Sequence, residues 1–446
     1  MIKTRIPHFG LWEYVVRVCF IFFFSIILFK VFAEDGNALN SFIKETIAFF
    51  LLTVFTAKFL LKDRKLLFFF SIAYLVKVGI GVWHYLTFMD PTYFSGVGET
   101  NLMHHEYEAV INFLQDAASE KKWFGLFHLK LDGYVTHQEI LSIMAIPFHF
   151  FGVKMLGISP INSFFSLFAA MNVYLVAKPY FSDSHKNKCL LLLLAYFPAT
   201  LLTDIFFRDI VGWCFMSIGL TMMCFSRTSL EKIISMLLAI PLFYLQRNGY
   251  IIIPILLLLA DFVFISKKKN FLLKIIAVLI ALITLPIVYR MASNESTETY
   301  VQGATSWPIY LLPIKIVVGL IGPFPWTNFL MYKAIPYISF YLGDYVTAIF
   351  NIGVLIVVIK RWKTYLNNPI TLPTIMGVIL LLMGIMNKYM HMTYISVGVF
   401  FLIPWIAQSV EPKMIKKHLW IAFSLLVLLN LCVTVLGVSG MASSVK

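Results

Sequence analysis

Apolar runs of membrane-spanning length recur along nearly the whole of this chain. Stretches of about 17–25 apolar residues are long enough to cross a bilayer as helices. They fall at roughly 13–33, 43–61, 66–87, 160–177, 189–206, 210–226, 232–245, 250–266, 271–290, 343–360, 371–387, 393–409 and 418–438. Of the 446 residues, 60% are hydrophobic and only 13% are charged, and the mean hydropathy is +0.84. A soluble domain carries about 25% charged residues, so soluble classes are excluded. The pattern predicts an all-α polytopic membrane protein with about 13 transmembrane helices.

The net charge of +14 reads first as topology, because excess Lys and Arg collect in cytoplasmic loops. Every second boundary between runs is basic: the N-terminus MIKTRIPHFGLWEYVVR, KDRK (62–65), KPYFSDSHKNK (178–188), SRTSLEK (226–232), KKKN (267–270), KRWK (360–363) and EPKMIKK (411–417). The other boundaries, such as AEDGN (33–37) and NESTET (294–299), are acidic or neutral. The alternation predicts a cytoplasmic N-terminus and an external C-terminus. No small-residue cleavage site follows the first run, so it reads as a retained span rather than a signal peptide. The five cysteines form no CxxC and suggest lipid-facing or packed thiols. No nucleic-acid partner is expected; the partners are membrane lipids and their conjugates.

Five regions follow. Residues 1–87 are a three-span region. Residues 88–159 are a large external loop ending in EILSIMAIPFHFFGVKMLG, a Pro-interrupted apolar stretch that reads as an interfacial or re-entrant helix. Residues 160–290 carry central spans. Residues 291–342 form a second external re-entrant segment around IKIVVGLIGPFPW, where Gly-Pro-Phe-Pro ends a helix. Residues 343–446 are a C-terminal four-span region. Irregular backbone at membrane depth must be covered by protein or line a wet cavity. Both irregular segments face the same side, and one shared external cavity accounts for both.

Polar residues interrupt three hairpins on that external side: Arg208 and Asp209 in DIFFRD, Arg247, Asn248 and Tyr250 in QRNGY, and Asn387, Lys388, Tyr389 and His391 in NKYMHM. One such tip is adequately explained by snorkelling at the interface. Cations at three tips, on the side where positive charge is not expected, suggest an anion site, with phosphate the natural anion at a membrane surface. The 88–139 loop holds most of the external ionisable groups, among them Asp90, His104, His105 and Glu106. Glu106 heads an amphipathic helix in HHEYEAVINFLQDA. It is either an ordinary N-terminal acid favoured by the helix dipole or a general base aimed into the cavity. Adjacent histidines point apart on a helix, so HHE is not HExxH. A divalent cation (Mg or Mn) held by carboxylates and water stays open as a cofactor.

The order of elements over residues 88–226 resembles the GT-C superfamily of integral-membrane glycosyltransferases, which use polyprenyl-phosphate-linked sugars. Three segments carry the resemblance: the acidic residue before Tyr and an amphipathic helix in HHEYEAVINFLQDA, GYVTHQEILSIMAIPFHFFG, and the Phe-Pro signature before a charged tip in AYFPATLLTDIFFRD. The chain departs from the pattern at Glu106, where Asp is commoner, at Val135, where proline usually follows Gly-Tyr, and in lacking DxD. GLIGPFPW and NKYMHMTYISVGVFFLIPW are similar in style to bacterial exopolysaccharide and O-antigen polymerases. The resemblance implies an enzyme that moves sugar from a polyprenyl (undecaprenyl) phosphate or diphosphate to a glycan or lipid acceptor. Glu106 would be the base, with Asp90 and Asp209 as secondary candidates. Arg208, Arg247 and Lys388 would hold phosphate, assisted by His391. Tyr107, Trp123, Trp307, Trp326 and Tyr250 would contact sugar, although interfacial aromatics also form belts without any ligand. The rival readings are a lipid-linked oligosaccharide flippase or transporter and a glycan ligase. A transporter calls for polar groups at mid-membrane, whereas the helix middles here read as mostly apolar.

Overall fold

The computed structural model describes residues 10–33, 38–88, 138–153, 155–181, 183–196, 209–262, 371–386 and 392–408, together with a few isolated positions. Among the described residues all regular structure is helical. The helices are α1 (Leu11–Phe32), α2 (Ala38–Leu61), α3 (Arg64–Phe88), α4 (Gln138–Phe151), α5 (Ile158–Ala177), α6 (Asp183–Ala195), α7 (Asp209–Phe225), α8 (Ser229–Gln246), α9 (Ile252–Ala260), α10 (Leu372–Met386) and α11 (Met392–Ile406). Four of these segments are long and apolar enough to cross a membrane: Leu11–Phe32, Arg64–Val82, Ile158–Tyr180 and Ser229–Gln246. Shorter apolar helices accompany them. The protein is therefore an α-helical protein of multi-pass membrane character.

Helix α5 is the axis of the bundle. Every residue from Ile158 to Ala177 is buried, and α2, α3, α6, α7 and α11 pack around it. A helix buried on all sides has no polar face to spare for solvent. The outer helices differ. On α1, Tyr14, Ile21 and Phe29 face the core, while Phe20, Phe23 and Val31 are exposed on the other side, as expected where lipid replaces water.

The packing fixes which ends of the helices meet. Tyr14, at the start of α1, donates a hydrogen bond of 2.8 Å to Asn172 near the end of α5 and stacks edge-on against Phe225 at the end of α7. Arg17 donates to the carbonyl of Phe59 at the end of α2. Lys232 at the start of α8 pairs with Asp261 just beyond α9. The basic segments 62–65, 178–188 and 226–232 thus share one end of the bundle. Phe29 of α1 packs on Phe49 of α2 and Phe151 of α4 at the other end.

Local signals explain several helix boundaries. Thr228 and Glu231 form a capping box. Thr228 Oγ1 accepts from the Glu231 N–H at 3.1 Å, and Glu231 Oε2 accepts from the Thr228 N–H at 3.0 Å. Helix α4 has 14 residues, or about 21 Å, too few to span a core of about 30 Å. It ends at Gly152, whose φ of 75° and N–H bond to the Phe148 carbonyl make a left-handed stop. Helix α6 begins at Asp183, earlier than the apolar run at 189 suggests. The polar DSHKNK stretch is thus the first part of the helix rather than only a loop.

Candidate functional site

The turn between α8 and α9 meets the start of α7. Asp209 is the first residue of α7, where the helix dipole favours a carboxylate. Its Oδ1 accepts a hydrogen bond of 2.8 Å from Gln246 Nε2 and lies 3.8 Å from Nη2 of Arg247. Both charged side chains are largely buried, at 11% exposure for Arg247 and 16% for Asp209. Extended backbone at Arg247 (φ −162°, ψ 140°) ends α8, and a single 3-10 turn at Asn248–Ile251 restarts the chain toward α9. The Tyr250 N–H bonds the Arg247 carbonyl at 2.9 Å, and the Tyr250 side chain is buried.

A glycine makes this convergence fit. A Cβ on Gly212 would collide with Gln246 Oε1, so the bare backbone one turn into α7 is what lets Gln246 lie across it. That Oε1 is itself buried and without a hydrogen-bond partner. Taking two charges out of solvent carries a desolvation penalty that can match their Coulomb gain, whereas removing one partner leaves the other charge buried and uncompensated. Asp209, Gln246 and Arg247 therefore stand or fall as a set.

The third polar tip, 387–391, lies outside the described residues, and helix α11 begins just after it. Tyr196, just past α6, donates to the Ser396 carbonyl at 3.1 Å, and Trp213 of α7 lies 5.4 Å from Phe400, centroid to centroid. The first turns of α11 thus lie beside the end of α6 and the first turns of α7, at the end of the bundle opposite the basic segments. The structure brings together Asp209, Arg247 and Tyr250 from the residues singled out in the sequence. Asp90, Glu106, Tyr107, Trp123, Arg208, Trp307, Trp326, Lys388 and His391 lie outside the described residues. Among the described residues no cluster of three His, Cys, Asp or Glu side chains has the makings of a metal site.

Several polar groups escaped the sequence reading. Gln246 was overlooked beside its charged neighbour. Glu45 on α2 and Lys77 on α3 are 0% and 2% exposed, each an ionisable residue inside an apolar run. Glu45 Oε2 would lie 2.6 Å from a Cβ on Gly157, so the carboxylate rests on the head of α5, where the dipole favours it. Asn172 joins three helices, accepting from Tyr14 and donating to Ser217 Oγ at 3.0 Å. The signal was there for Glu45 and Lys77, since an ionisable residue inside a span is rare and expensive. For Asn172 and Gln246 only the packing reveals a role. The chain matches no family model, no curated protein and no solved structure.

Proposed function

We propose that this protein is an integral-membrane glycosyltransferase that acts on polyprenyl-phosphate-linked sugars at the external face of a bacterial cytoplasmic membrane, in cell-surface polysaccharide or glycolipid assembly. The observation that carries the reading is the one-sidedness of the polar tips. Asp209, Gln246 and Arg247 meet at the end of the bundle away from the basic segments, the end where α11 begins beside Tyr196. On this reading the chain has about 13 spans, a cytoplasmic N-terminus and an external C-terminus, because basic loops stay inside.

The chemistry follows from the residue types. An acceptor hydroxyl attacks the anomeric carbon, the bond from that carbon to the phosphate oxygen breaks, and the hydroxyl proton passes to Glu106, with Asp90 and Asp209 as the other candidate carboxylates. Arg208, Arg247, Lys388 and His391 stabilise the departing polyprenyl phosphate as its charge develops. Tyr107, Trp123, Trp326 and Tyr250 line the sugar path. A divalent cation, if one is used, neutralises phosphate beside the carboxylates.

The test is release of polyprenyl phosphate or diphosphate from a labelled lipid-linked glycan pool by purified protein with acceptor present. Turnover by the wild type that is lost in Glu106→Gln and Arg247→Ala, with both variants folded, is the expected result. A second reading, a flippase for lipid-linked oligosaccharide, is favoured by one observation: Glu45 and Lys77 are buried charges within the helices, as ion or substrate pathways require. Movement of labelled lipid across vesicles without any glycan transfer would replace the first reading with the second.

A further inference from the structure

The groove between α1 and α2 changes character along its length. On α1, Glu13, Arg17, Phe20 and Phe24 are spaced i, i+4, i+7, i+11 and share one face. On α2, Leu51, Phe55, Lys58 and Phe59 share a face at i, i+4, i+7, i+8, and Lys62 follows at the helix end. The two faces meet. Phe20 lies 6.1 Å from Phe55 and 5.6 Å from Phe59, and Phe24 lies 4.2 Å from Phe55, centroid to centroid. Phe20 and Leu51 are exposed, and Phe24, Phe55 and Phe59 are only partly buried. This ladder of rings therefore opens outward rather than into the core.

The mouth of the groove is cationic. The Arg17 guanidinium sits over the Phe59 ring, 4.8 Å from its centroid. It donates to Glu13 at 2.8 Å and to the Phe59 carbonyl, so it roofs the ladder while Glu13 balances its charge. Beyond it, the turn from α2 to α3 exposes Lys58, Lys62, Arg64 and Lys65 against the one carboxylate of Asp63. Asp63 Oδ1 is engaged in the turn, accepting from the Lys65 N–H at 2.9 Å. Lys62 has a φ of 56°, the left-handed position where a helix stop usually takes glycine.

Basic loops at one membrane face are expected of any such protein. Topology does not call for a ladder of rings directly beneath them. From Leu51 to Lys62 the α2 stripe runs about 16 Å, close to half of a hydrocarbon core of about 30 Å. Rings below and cations above, over the depth of one leaflet, match a single lipid with an anionic headgroup. A neutral phospholipid would leave the cations without a counter-charge, and an acidic protein segment would leave the rings unused.

We propose that the α1–α2 groove and the 62–65 turn bind one anionic phospholipid of the adjoining leaflet, its phosphate on the cations of 58–65 and one acyl chain along the Phe20–Phe55–Phe59 ladder. The site lies at the opposite end of the bundle from the Asp209–Arg247 pair and is independent of the sugar-transfer reading.

The test is a thermal-stability titration of the full chain in detergent, with phosphatidylglycerol and phosphatidylcholine of identical acyl chains as separate probes. Saturable stabilisation by phosphatidylglycerol, well above that by phosphatidylcholine, is the expected result. Lys58→Gln/Lys65→Gln should weaken phosphatidylglycerol binding about thirtyfold, the effect of two lysines beside an anionic lipid surface. Phe20→Ala should weaken it about threefold, for the apolar contact removed. Lys178→Gln/Lys188→Gln, which removes the same charge at the same end of the bundle but away from the ladder, should leave it unchanged. Equal stabilisation by the two phospholipids overturns the site. Equal losses in the two lysine double variants also overturn it and leave only the diffuse charge of the basic loops. Glycerol phosphate or a poly-glutamate peptide matching phosphatidylglycerol would replace the lipid with a free anion or an acidic protein partner. Undecaprenyl phosphate binding more tightly than phosphatidylglycerol would overturn the bilayer phospholipid as the occupant.

Discussion

Asp209 Oδ1 lies 3.8 Å from Nη2 of Arg247, although a whole helix hairpin separates the two residues in sequence. The shared oxygen also accepts from Gln246, so one carboxylate atom ties the head of α7 to the turn after α8. Breaking a buried pair from one side leaves an uncompensated charge, and this costs more than the pair is worth intact. Asp209→Ala and Arg247→Ala are each expected to lower stability by about 1–3 kcal/mol. The double variant should fall short of the sum of the two. A double-mutant cycle on thermal midpoints in detergent checks this, and strict additivity would mean that the contact carries no energy.

Gly212 is expected to tolerate no side chain while Gln246 is present. Gly212→Ala sets a methyl group onto Gln246 Oε1, and overpacking of this kind costs about 1–3 kcal/mol. Pairing it with Gln246→Ser should restore part of the loss, because the obstructing atom is gone. The measurement is recovery of monodisperse protein by size exclusion after heating. A Gly212→Ala protein as stable as the wild type would show that Gln246 moves aside freely.

Asn172 is the hub of a fully buried chain running from Tyr14 through Asn172 to Ser217 and on to the Cys214 carbonyl. Asn172→Leu removes both bonds and leaves Tyr14 Oη with only Thr221 as a partner among α1, α5 and α7. The expected cost is about 2–4 kcal/mol, from two lost partners at roughly 1–2 kcal/mol each. Tyr14→Phe deletes only one donor and should cost about 1 kcal/mol. The order of the two thermal midpoints decides the matter, and equal midpoints would mean that the Ser217 branch contributes nothing.

Helices α10 and α11 touch backbone to backbone at two glycines. A Cβ on Gly398 would lie 2.5 Å from the Leu381 nitrogen and 2.7 Å from its Cα, and main chain cannot swing away as a side chain can. Gly398→Ala should therefore push the helices apart and cost about 1–3 kcal/mol. At Gly377 the nearest atom is instead Leu402 Cγ at 2.7 Å, so Gly377→Ala should be partly relieved by Leu402→Ala. Rescue at position 377 but not 398, read from folded yield, is the expected pattern.

Much of the architecture was legible in the sequence. Apolar runs identify helices because every backbone group in lipid must bond within its own segment. The basic segments 62–65, 178–188 and 226–232 anticipated one end of the bundle, and the structure gathers them there. The capping box of Thr228 and Glu231, which the apolar runs did not mark, sets the start of α8 through local hydrogen bonds. Asp209, Arg247 and Tyr250 stood out as polar interruptions of apolar runs. All of these are short-range properties, set by a residue and its near neighbours.

Tertiary structure alone decided the rest. That α5 is the buried axis does not follow from its being long and apolar, which it shares with the outer helix α1. In lipid both faces of a helix see equally apolar surroundings, so hydropathy cannot tell inside from outside. Packing between helices must instead be set by fit and by specific polar contacts. Those contacts, Tyr14 with Asn172, Gln246 with Asp209 across Gly212, and Glu45 at the head of α5, depend on which helices are adjacent. Adjacency is a property of the folded chain, and no periodicity in the sequence encodes it.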